Sequence, residues 1–319
     1  MRKTVKVIRL EIPNKLTSKD LPPLSLAIGF FDGVHIGHQQ VILTAKKIAD
    51  ENNWKSAVMT FDPSPKEVLS KHPENVKYIT LLDEKIRRIE ELGIDYLFIV
   101  PFTREFASFL PEDFIDNYII QLNVKHLTAG FDYTYGKFGK GTMKTIEQHG
   151  KGHFKATTVE KVTKNNNKIS STIIRSLISE GNVEETKHYL GRYYTMEGYV
   201  IHGEKRGRKL GFPTANLQID DRYIYPKNGV YVVRLYVNST WVNGVASIGY
   251  NPTFNDEKTK RFVEVYLLDF DDDIYGQSVI LEWRKYLRDE LKFDSIEALI
   301  EQIKQDVQET RNYFNQVSS

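Results

Sequence analysis

The sequence predicts two successive domains of different fold class, an α/β domain with a parallel sheet and then a small antiparallel β-barrel with a terminal helix. In the first half, short apolar runs alternate with segments of helical periodicity, which is typical of parallel sheets covered by helices. From about residue 190 onward, runs rich in Val, Tyr and Ile follow one another with only turns between them, which indicates an antiparallel barrel. A last apolar stripe at helical spacing predicts the closing helix.

The first half contains four apolar runs that predict buried strands and three periodic segments that predict helices. The strands are predicted at residues 24–31, 57–61, 96–100 and 126–131, and the helices at residues 39–51, 82–92 and 111–122. Ligands of parallel sheets bind beyond the carboxyl ends of the strands. The glycine-rich segments of this half fall at those ends.

The second half predicts five strands, at residues 194–202, 229–237, 241–248, 262–268 and 278–283. The stripe that predicts the terminal helix consists of Ile296, Leu299, Ile300, Ile303 and Val307. The length suits two domains, and the change of pattern divides the chain into domains at residues 1–184 and 185–319.

Composition narrows the possible classes of function. Lys plus Arg number 44 and Asp plus Glu 42 in 319 residues, and this near balance argues against a broad nucleic-acid surface. Cysteine is absent, which excludes disulfides, thiolate metal sites and cysteine nucleophiles. No apolar run approaches the ~20 residues of a membrane span, and no segment of signal-peptide type opens the chain. We therefore expect a cytoplasmic protein without a nucleic-acid or membrane partner, and the sequence leaves its oligomeric state open.

A glycine-rich turn with two histidines joins the first predicted strand to the first predicted helix, reading Gly-Phe-Phe-Asp-Gly-Val-His-Ile-Gly-His over residues 29–38. Amides at a helix N-terminus and two imidazoles can face the phosphates of ATP, where they would stabilise the charge that develops as pyrophosphate leaves. The turn therefore predicts nucleotidyl transfer, and the alternative is a strand–helix turn with two incidental histidines. The residues predicted to bind ATP here are Gly29, Phe30, Asp32, Gly33, His35, Gly37 and His38.

A second segment, residues 169–175, suits the other half of such a site. Its sequence is Ile-Ser-Ser-Thr-Ile-Ile-Arg, in which the hydroxyls of Ser171 and Thr172 can cap a helix. Arg175 lies one turn further on and can reach phosphate oxygens. The alternative is an ordinary helix cap followed by a surface arginine.

A second candidate site follows the first predicted barrel strand. The glycines and basic residues of this stretch suit a loop that covers phosphates, and those predicted to contact ATP are Gly203, Gly207, Arg208 and Gly211. Thr214 and Asn216 lie two residues apart, so on an extended segment both side chains point to one side. Their neutral oxygens, with phosphate and water, suit Mg²⁺ as well as ATP. The alternative is a charged hairpin followed by a proline turn.

Over nearly the whole chain, these motifs resemble those of a known family, the bacterial bifunctional riboflavin kinase/FMN adenylyltransferases. In the first half the resemblance rests on residues 29–38, 60–65, 101–107, 130–136 and 169–175. In the second half it rests on residues 202–216, 247–254, 264–270 and 287–293. It implies a Rossmann-like nucleotidyltransferase domain and a riboflavin kinase barrel. Both would use ATP and Mg²⁺, with riboflavin, FMN and FAD as the flavins bound.

The resemblance also implies roles for single residues of the first domain. His35 and His38 would contact the ATP phosphates, and Ser171, Thr172 and Arg175 would complete the pocket, with the histidines and Arg175 as catalytic residues. The residues expected near the flavin are Pro63, Pro65, Asp132 and Tyr135. Where many relatives have histidine in an Asp-Pro-His-Pro stretch, this chain has Ser64.

In the second domain the resemblance makes Glu264 the general base that acts on the ribityl 5′-hydroxyl of riboflavin. A single strand glutamate is more often only solvated, which is the alternative for this residue. Arg288 resembles a flavin-side arginine, and a surface charge is the alternative for it. Tyr266 stands where many relatives have histidine.

Two other functions compete with this interpretation. An aminoacyl-tRNA synthetase-like activating domain could also carry the His-x-Gly-His turn, but the near-neutral charge and the lack of a tRNA-binding region argue against it. Alternatively, the barrel could be a flavin-sensing module without kinase activity. The presence of Thr214, Asn216 and Glu264 argues against that alternative.

Overall fold

The computed structural model describes residues 4–164, 167–203, 207, 210–251 and 260–317. The chain divides into two compact units, Met1–Ser171 and Thr172–Ser319. The first unit is α/β with a parallel sheet and the second is an antiparallel barrel followed by a helix, so the predicted fold class is confirmed. Within these described ranges, no helix is long and apolar enough to cross a membrane.

The first unit is built on a parallel sheet. Its strands are β1 (Lys6–Arg9), β2 (Leu24–Ile28), β3 (Lys55–Asp62), β4 (Tyr96–Pro101), β5 (Val124–Gly130), β6 (Thr134–Tyr135), β7 (Gly141–Thr142), β8 (Lys155–Val159), β9 (Thr163–Lys164) and β10 (Asn167–Lys168). Six of them form the main sheet in the order β1-β4-β3-β2-β5-β8, with every pair parallel. The two remaining pairs, β6 with β7 and β9 with β10, are short antiparallel ladders.

The described part of this unit contains five α-helices, which are α1 (Ile36–Glu51), α2 (Pro65–Leu69), α3 (Leu82–Glu91), α4 (Pro111–Ile115) and α5 (Ile146–Gly150). The predicted helix at residues 111–122 begins at its proline as expected, but after α4 it continues as a π-helix over Asp116–Ile120. The wider π turn places the adjacent Tyr118 and Ile119 both in the core, where neither is exposed.

The core of the first unit lies on both faces of the sheet. On one face α1 buries Val41, Ile42, Ala45 and Ala49, as its periodicity predicts. The other face is covered by aromatic and aliphatic side chains that include those of α4. The edge strands β1 and β8 contain no buried residue, which is why no apolar run marked them in the sequence.

The second unit contains a closed antiparallel barrel. After α6 (Ser171–Ser179) and α7 (Lys187–Leu190), its elements are β11 (Tyr194–Ile201), β12 (Thr214–Ile219), β13 (Gly229–Val237), β14 (Thr240–Asn251), β15 (Lys260–Leu267), β16 (Ser278–Arg288) and the terminal α8 (Ile296–Val317). The six strands close in the order β11-β12-β15-β14-β13-β16. Along β15, Val263 and Val265 are buried inside the barrel, so the alternating Glu264 faces outward.

Candidate active sites

The histidine turn lies at the carboxyl end of β2 and has a strained backbone. Phe31, Gly33 and Val34 have φ values of 53°, 86° and 39°. A β-branched residue such as valine rarely adopts this left-handed region, and such strain costs on the order of 1–3 kcal/mol. Burial of the Phe31 and Val34 side chains offsets the cost, because they are only 3% and 1% exposed. The turn is therefore held in one conformation by the core beneath it.

The two histidines are stacked at the start of α1. His35 is the N-cap of the helix, and its Nδ1 accepts the backbone N–H of His38 at 3.2 Å. The two rings are nearly parallel, with centroids 3.5 Å apart. A Cβ at Gly37 would lie 3.1 Å from the His35 ring, so glycine leaves the space that this ring occupies. The structure thus brings the predicted pair together and shows why a glycine separates them.

Asp32 and Gly33 bind a segment that the sequence analysis did not connect with this turn. The buried Asp32 carboxylate accepts the backbone N–H groups of Ile79 and Thr80 at 3.0 and 3.1 Å. The Gly33 N–H donates to Thr80 Oγ1 at 2.9 Å. These bonds fix the middle of the turn from outside. No sequence motif marks residues 79–80, and only the fold brings them to the turn.

Lys85 of α3 is a second residue that the sequence analysis missed. Its side chain is buried, and its Nζ donates to the carbonyl of Phe30 at 2.8 Å and lies 3.5 Å from Thr60 Oγ1. The Phe30 ring centroid is 4.0 Å from the same amine. One sequence signal could have found it, because Lys85 lies three residues after Leu82 and four before Ile89, within the inward stripe of α3.

The segment predicted to complete the ATP pocket begins at the boundary between the units. Ser171 Oγ donates to the Asp32 carbonyl at 3.1 Å, which joins this hydroxyl to the histidine turn. Thr172 and Arg175 lie further along α6 in the second unit, where Thr172 is exposed and Arg175 is half-buried. The structure therefore brings Ser171 to the turn, and the contribution of the other two residues stays a prediction.

The segment predicted to contact flavin follows β3. Pro63 and Pro65 are half-buried at the start of α2, and Ser64 between them is the buried N-cap of that helix. The backbone N–H of Ser64 donates to the Tyr78 hydroxyl at 3.0 Å, and this hydroxyl donates to the Glu67 carboxylate. Burial is the main cause that raises the pKa of Tyr78, and the bond to Glu67 raises it further. In this chain Ser64 thus shapes the segment by capping α2.

Tyr135, also predicted near the flavin, is buried in a chain of polar groups. Its hydroxyl is 2.8 Å from His149 Nδ1, and His149 Nε2 is 3.4 Å from the Glu112 carboxylate. Its ring packs against those of Phe114 and Tyr133. Burial raises the pKa of Tyr135 to about 12, so the hydroxyl keeps its proton at neutral pH. The flavin contact of Tyr135 stays a prediction.

Asp132 lies on the surface three residues before Tyr135. Its carboxylate is exposed and pairs at 3.2 Å with Lys168, whose side chain is half-buried. The Lys168 amine also lies 4.9 Å from the centroid of the Phe131 ring. A cation and an aromatic ring therefore lie beside Asp132. Its contact with flavin stays a prediction.

In the second unit, strand pairing brings three of the predicted residues onto one face. Asn216 of β12 lies directly opposite Glu264 of β15, and Thr214 lies opposite Tyr266. Residues that are directly opposite in a ladder point to the same side, so these four side chains share the outer face of the barrel. Ser247 of β14 lies opposite Glu264 on its other side, which adds a hydroxyl that the sequence analysis did not single out.

Two described glycines of the predicted phosphate loop, Gly203 and Gly207, lie against this face. A Cβ at Gly203 would overlap the Asn216 amide, and a Cβ at Gly207 would lie 3.4 Å from the Thr214 hydroxyl. Gly211 has a φ of 85°, a conformation that favours glycine where the loop turns into β12. Arg208 lies outside the described residues. The glycines thus let the loop approach the two residues predicted to bind Mg²⁺.

Arg288, the predicted flavin-side arginine, is bound to the terminal helix. Its guanidinium makes two bonds to the Asp306 carboxylate, of 2.9 and 2.7 Å, and a third to the Asp289 carbonyl at 3.0 Å. Asp306 is 4% exposed on α8. The ion pair therefore attaches β16 to the helix, and any contact of Arg288 with flavin stays a prediction.

Among the residues that the structure describes, no cluster of three or more His, Cys, Asp or Glu side chains has the geometry of a metal site. The Thr214 hydroxyl and the Asn216 amide oxygen lie on one face beside the glycine loop. Mg²⁺ usually takes few protein ligands and completes its shell with phosphate and water, so this pair fits it.

A parallel-sheet unit with a His-x-Gly-His turn, followed by a barrel whose outer face carries Thr, Asn and Glu, defines a two-part ATP-dependent transferase. Comparison with known proteins agrees. The family model of FAD synthetase matches residues 17–173, and that of riboflavin kinase matches residues 190–314. The chain belongs to the family of bifunctional riboflavin kinase/FMN adenylyltransferases, as its motifs predicted.

Its relatives match over nearly their whole length. The bifunctional riboflavin kinase/FMN adenylyltransferase of Listeria monocytogenes is 48% identical over 289 residues, covering 91% of this chain and 92% of the relative. The Bacillus subtilis protein of the same description is 47% identical over 312 residues, which cover 98% of this chain and 99% of the relative. A crystal structure from Streptococcus pneumoniae, described as a macrolide-efflux protein, is 37% identical in sequence and has a TM-score of 0.87. The match covers 97% of this chain and 99% of that one.

Proposed function

We propose that each unit carries one of the family's two reactions. The barrel phosphorylates riboflavin with ATP, giving FMN and ADP, and the first unit transfers the adenylyl group of a second ATP to FMN, giving FAD and pyrophosphate. The observation that carries this division is the stacked histidine pair in one unit and the Thr–Asn–Glu face in the other. Because both reactions consume ATP, we also propose a cytoplasmic location.

In the first unit, an oxygen of the FMN phosphate attacks the α-phosphorus of ATP and pyrophosphate leaves. The Nδ1 atom of His35 accepts a backbone N–H, so its ring proton lies on Nε2, which can donate to a phosphate oxygen. His38 stacks on that ring and is held parallel to it. Donors fixed in this way stabilise the charge that develops on the leaving pyrophosphate without reorganisation. Arg175 and the hydroxyls of Ser171 and Thr172 are the further phosphate ligands that we propose.

The flavin of this reaction is proposed to lie between two segments of the first unit. Pro63 and Pro65 would contact it from the end of β3, and Asp132 and Tyr135 from the end of β5. Both segments lie at the carboxyl edge of the parallel sheet, where ligands of such sheets bind. Burial raises the pKa of Tyr135, and its aromatic contact with Phe114 suits the packing of a flat ring.

In the second unit, Glu264 accepts the proton of the ribityl 5′-hydroxyl as its oxygen attacks the γ-phosphorus of ATP. The position of Glu264 opposite Asn216 supports this role, because it places a carboxylate beside the proposed phosphate ligands. The glycines at 203, 207 and 211, with Arg208, would cover the phosphates, and Arg288 would contact the flavin. Phosphoryl transfer needs mainly such positioning and neutralisation of charge.

Thr214 and Asn216 would hold Mg²⁺ with the oxygens of ATP and water. The ion would neutralise charge on the β- and γ-phosphates. The first reaction is also proposed to need Mg²⁺, bound to its ATP. For the two reactions we propose functional domains at residues 1–184 and 185–319, which assigns residues 172–184, the first part of the second compact unit, to the adenylyltransferase. The proposed boundary falls between the segments matched by the two family models.

Two single substitutions in the full chain test this assignment, each serving as the control for the other. His38→Ala should lower FAD formation from FMN by about a hundredfold or more, the usual effect of removing one fixed donor to a developing charge. Glu264→Gln keeps shape and hydrogen bonding but removes the proton acceptor. It should lower kcat for riboflavin phosphorylation by roughly two to four orders of magnitude, with little change in the KM for riboflavin.

Each variant should retain the other activity. Chromatography of the flavins formed from riboflavin or FMN with ATP and Mg²⁺ measures both in one assay. Equal loss of both activities in either variant would contradict the division between the units. Near-normal kinase kcat in the Glu264→Gln chain would show that this residue is not the base.

A further inference from the structure

The buried amine of Lys85 has no part in the reaction as proposed above, yet it lies beside the residues that do. Three elements meet at this amine: it extends from α3, donates to the carbonyl of Phe30 after β2, and approaches Thr60 of β3. Phe30 opens the strained turn that ends at His35, and Thr60 lies three residues before Pro63. Lys85 therefore lies between the proposed ATP turn and the proposed flavin segment.

Burying this amine is costly for the fold. Lys85 is 2% exposed, and among its described contacts none is an ion pair within bonding distance. Burial lowers its pKa to about 8, although the charges of Asp32 and Asp62 act in the opposite direction. An apolar side chain of similar length would fill the same space without desolvating a charge. Stability alone therefore gives no reason for a lysine at this position.

The bond from Lys85 complements the other bonds that hold the turn. The Phe30 carbonyl accepts from Lys85 and also from Thr60 Oγ1 at 2.9 Å, so both of its lone pairs are used. The middle of the turn is bound separately, through Asp32, to the segment just before α3. Lys85 thus fixes the point where the chain leaves β2, upstream of the histidines.

We propose that Lys85 is a positioning residue for FMN adenylylation, which holds the Phe30 carbonyl and thereby sets the turn that presents His35 and His38 to ATP. This inference rests on the proposed function of the first unit. Fixed donors accelerate a reaction only when their supporting contacts hold them within a fraction of an ångström of the productive geometry. Loss of the Lys85 bond should therefore loosen the turn and lower the rate of FAD formation without lowering the stability of the fold.

The test is Lys85→Met in the full chain. Methionine keeps the unbranched stem and removes only the amine, while the Phe30 carbonyl keeps its bond from Thr60. We expect kcat for FAD formation to fall about tenfold and the KM for ATP to rise severalfold, in line with the cost of a misplaced catalytic group. Riboflavin phosphorylation by the same chain should be unchanged, and the melting temperature at pH 7.5 should be equal or higher.

Ile89→Val is the matched control, because Ile89 is fully buried on the same helix and its apolar side chain makes no hydrogen bond to the turn. It should lower the melting temperature and leave FAD formation unchanged. Normal FAD formation by the Lys85→Met chain would overturn the proposal. A Met chain that loses melting temperature together with activity, or an Ile89→Val chain equally impaired in FAD formation, would overturn it too. His38→Ala, measured in parallel, tests the proposed function by itself: full activity in that variant would refute the site and not only Lys85.

Discussion

The stability of the first unit should depend on pH through Lys85 in a direction that the structure fixes. Burial lowers the pKa of its amine from 10.5 to about 8. The unfolded chain holds this proton up to about pH 10.5 and the folded chain only up to about pH 8, so between these values unfolding takes up a proton. The penalty for burying the charged amine is therefore complete below pH 8 and disappears as the pH rises to 10.5.

The size of the effect follows from the same gap in pKa. At about 1.4 kcal/mol per pKa unit, it corresponds to about 3 kcal/mol of unfolding free energy. Below pH 8, Lys85→Met should be the more stable chain by up to this amount, less what the lost bond to Phe30 contributes. The difference between the two chains should then shrink steadily towards pH 10.5, because the wild-type lysine becomes neutral.

Urea unfolding of both chains at pH 7, 8, 9 and 10 measures this difference. Other lysines and the tyrosines titrate in the same range, but they are common to the two chains and cancel. The unfolding of the barrel is also common to both. A difference that stays constant from pH 7 to 10 would refute the argument, since it would mean that water or a carboxylate solvates the amine in the folded chain. The carboxylates concerned are Asp32 and Asp62.

Two further predictions concern the second unit. A fragment that begins at Glu185 should convert riboflavin to FMN and form no FAD, and a folded fragment without kinase activity would show that the proposed boundary is wrong. Asp306→Asn should lower the free energy of unfolding of the barrel by about 2–3 kcal/mol, because Arg288 would keep a largely buried charge without its partner. Urea unfolding measures this, with Glu301→Gln as the control: Glu301 pairs with Lys304 at an exposed site on the same helix, and its loss should change little. Equal effects of the two substitutions would contradict the structural role of the Arg288 ion pair.

The parts of the sites that the sequence predicted are those whose geometry is local. His35 and His38 are three residues apart, so a helix start alone places them together. Thr214 and Asn216 are two apart on a strand, which alone places them on one face. Their relation to Glu264 is different, because it depends on the register between β12 and β15. Only family resemblance could supply that pairing, and the ladder now shows it.

The terminal helix shows how a correct pattern can hide the residues that matter most. Its apolar stripe predicted α8, and Ile300, Ile303 and Val307 are indeed half-buried. The most buried side chains of the helix, however, are Asp306 and Thr310. A search for apolar periodicity passes over both, since their burial depends on Arg288 and on the Asp306 carbonyl, to which Thr310 Oγ1 donates. Such pairing across elements is invisible without the fold.

Buried polar groups in the first unit are concentrated where the chemistry is proposed. Those at the carboxyl ends of β2 and β3, or on the segments bound to them, are Asp32, His35, Thr60, Ser64, Thr80 and Lys85. At the opposite ends of these strands, the buried polar residues are Ser25 and Ser56, and Ser56 bonds with Asp95 at the entry to the sheet. Each buried polar group costs stability unless it is bonded, so a fold under no other constraint would place apolar residues at both ends alike. The carboxyl ends hold more buried polar groups than the amino ends. A phosphate-binding site requires this, because donors aimed at phosphates must be fixed in advance by other polar groups. The carboxyl edge of β2 and β3 thus carries the polar framework that we propose for adenylyl transfer.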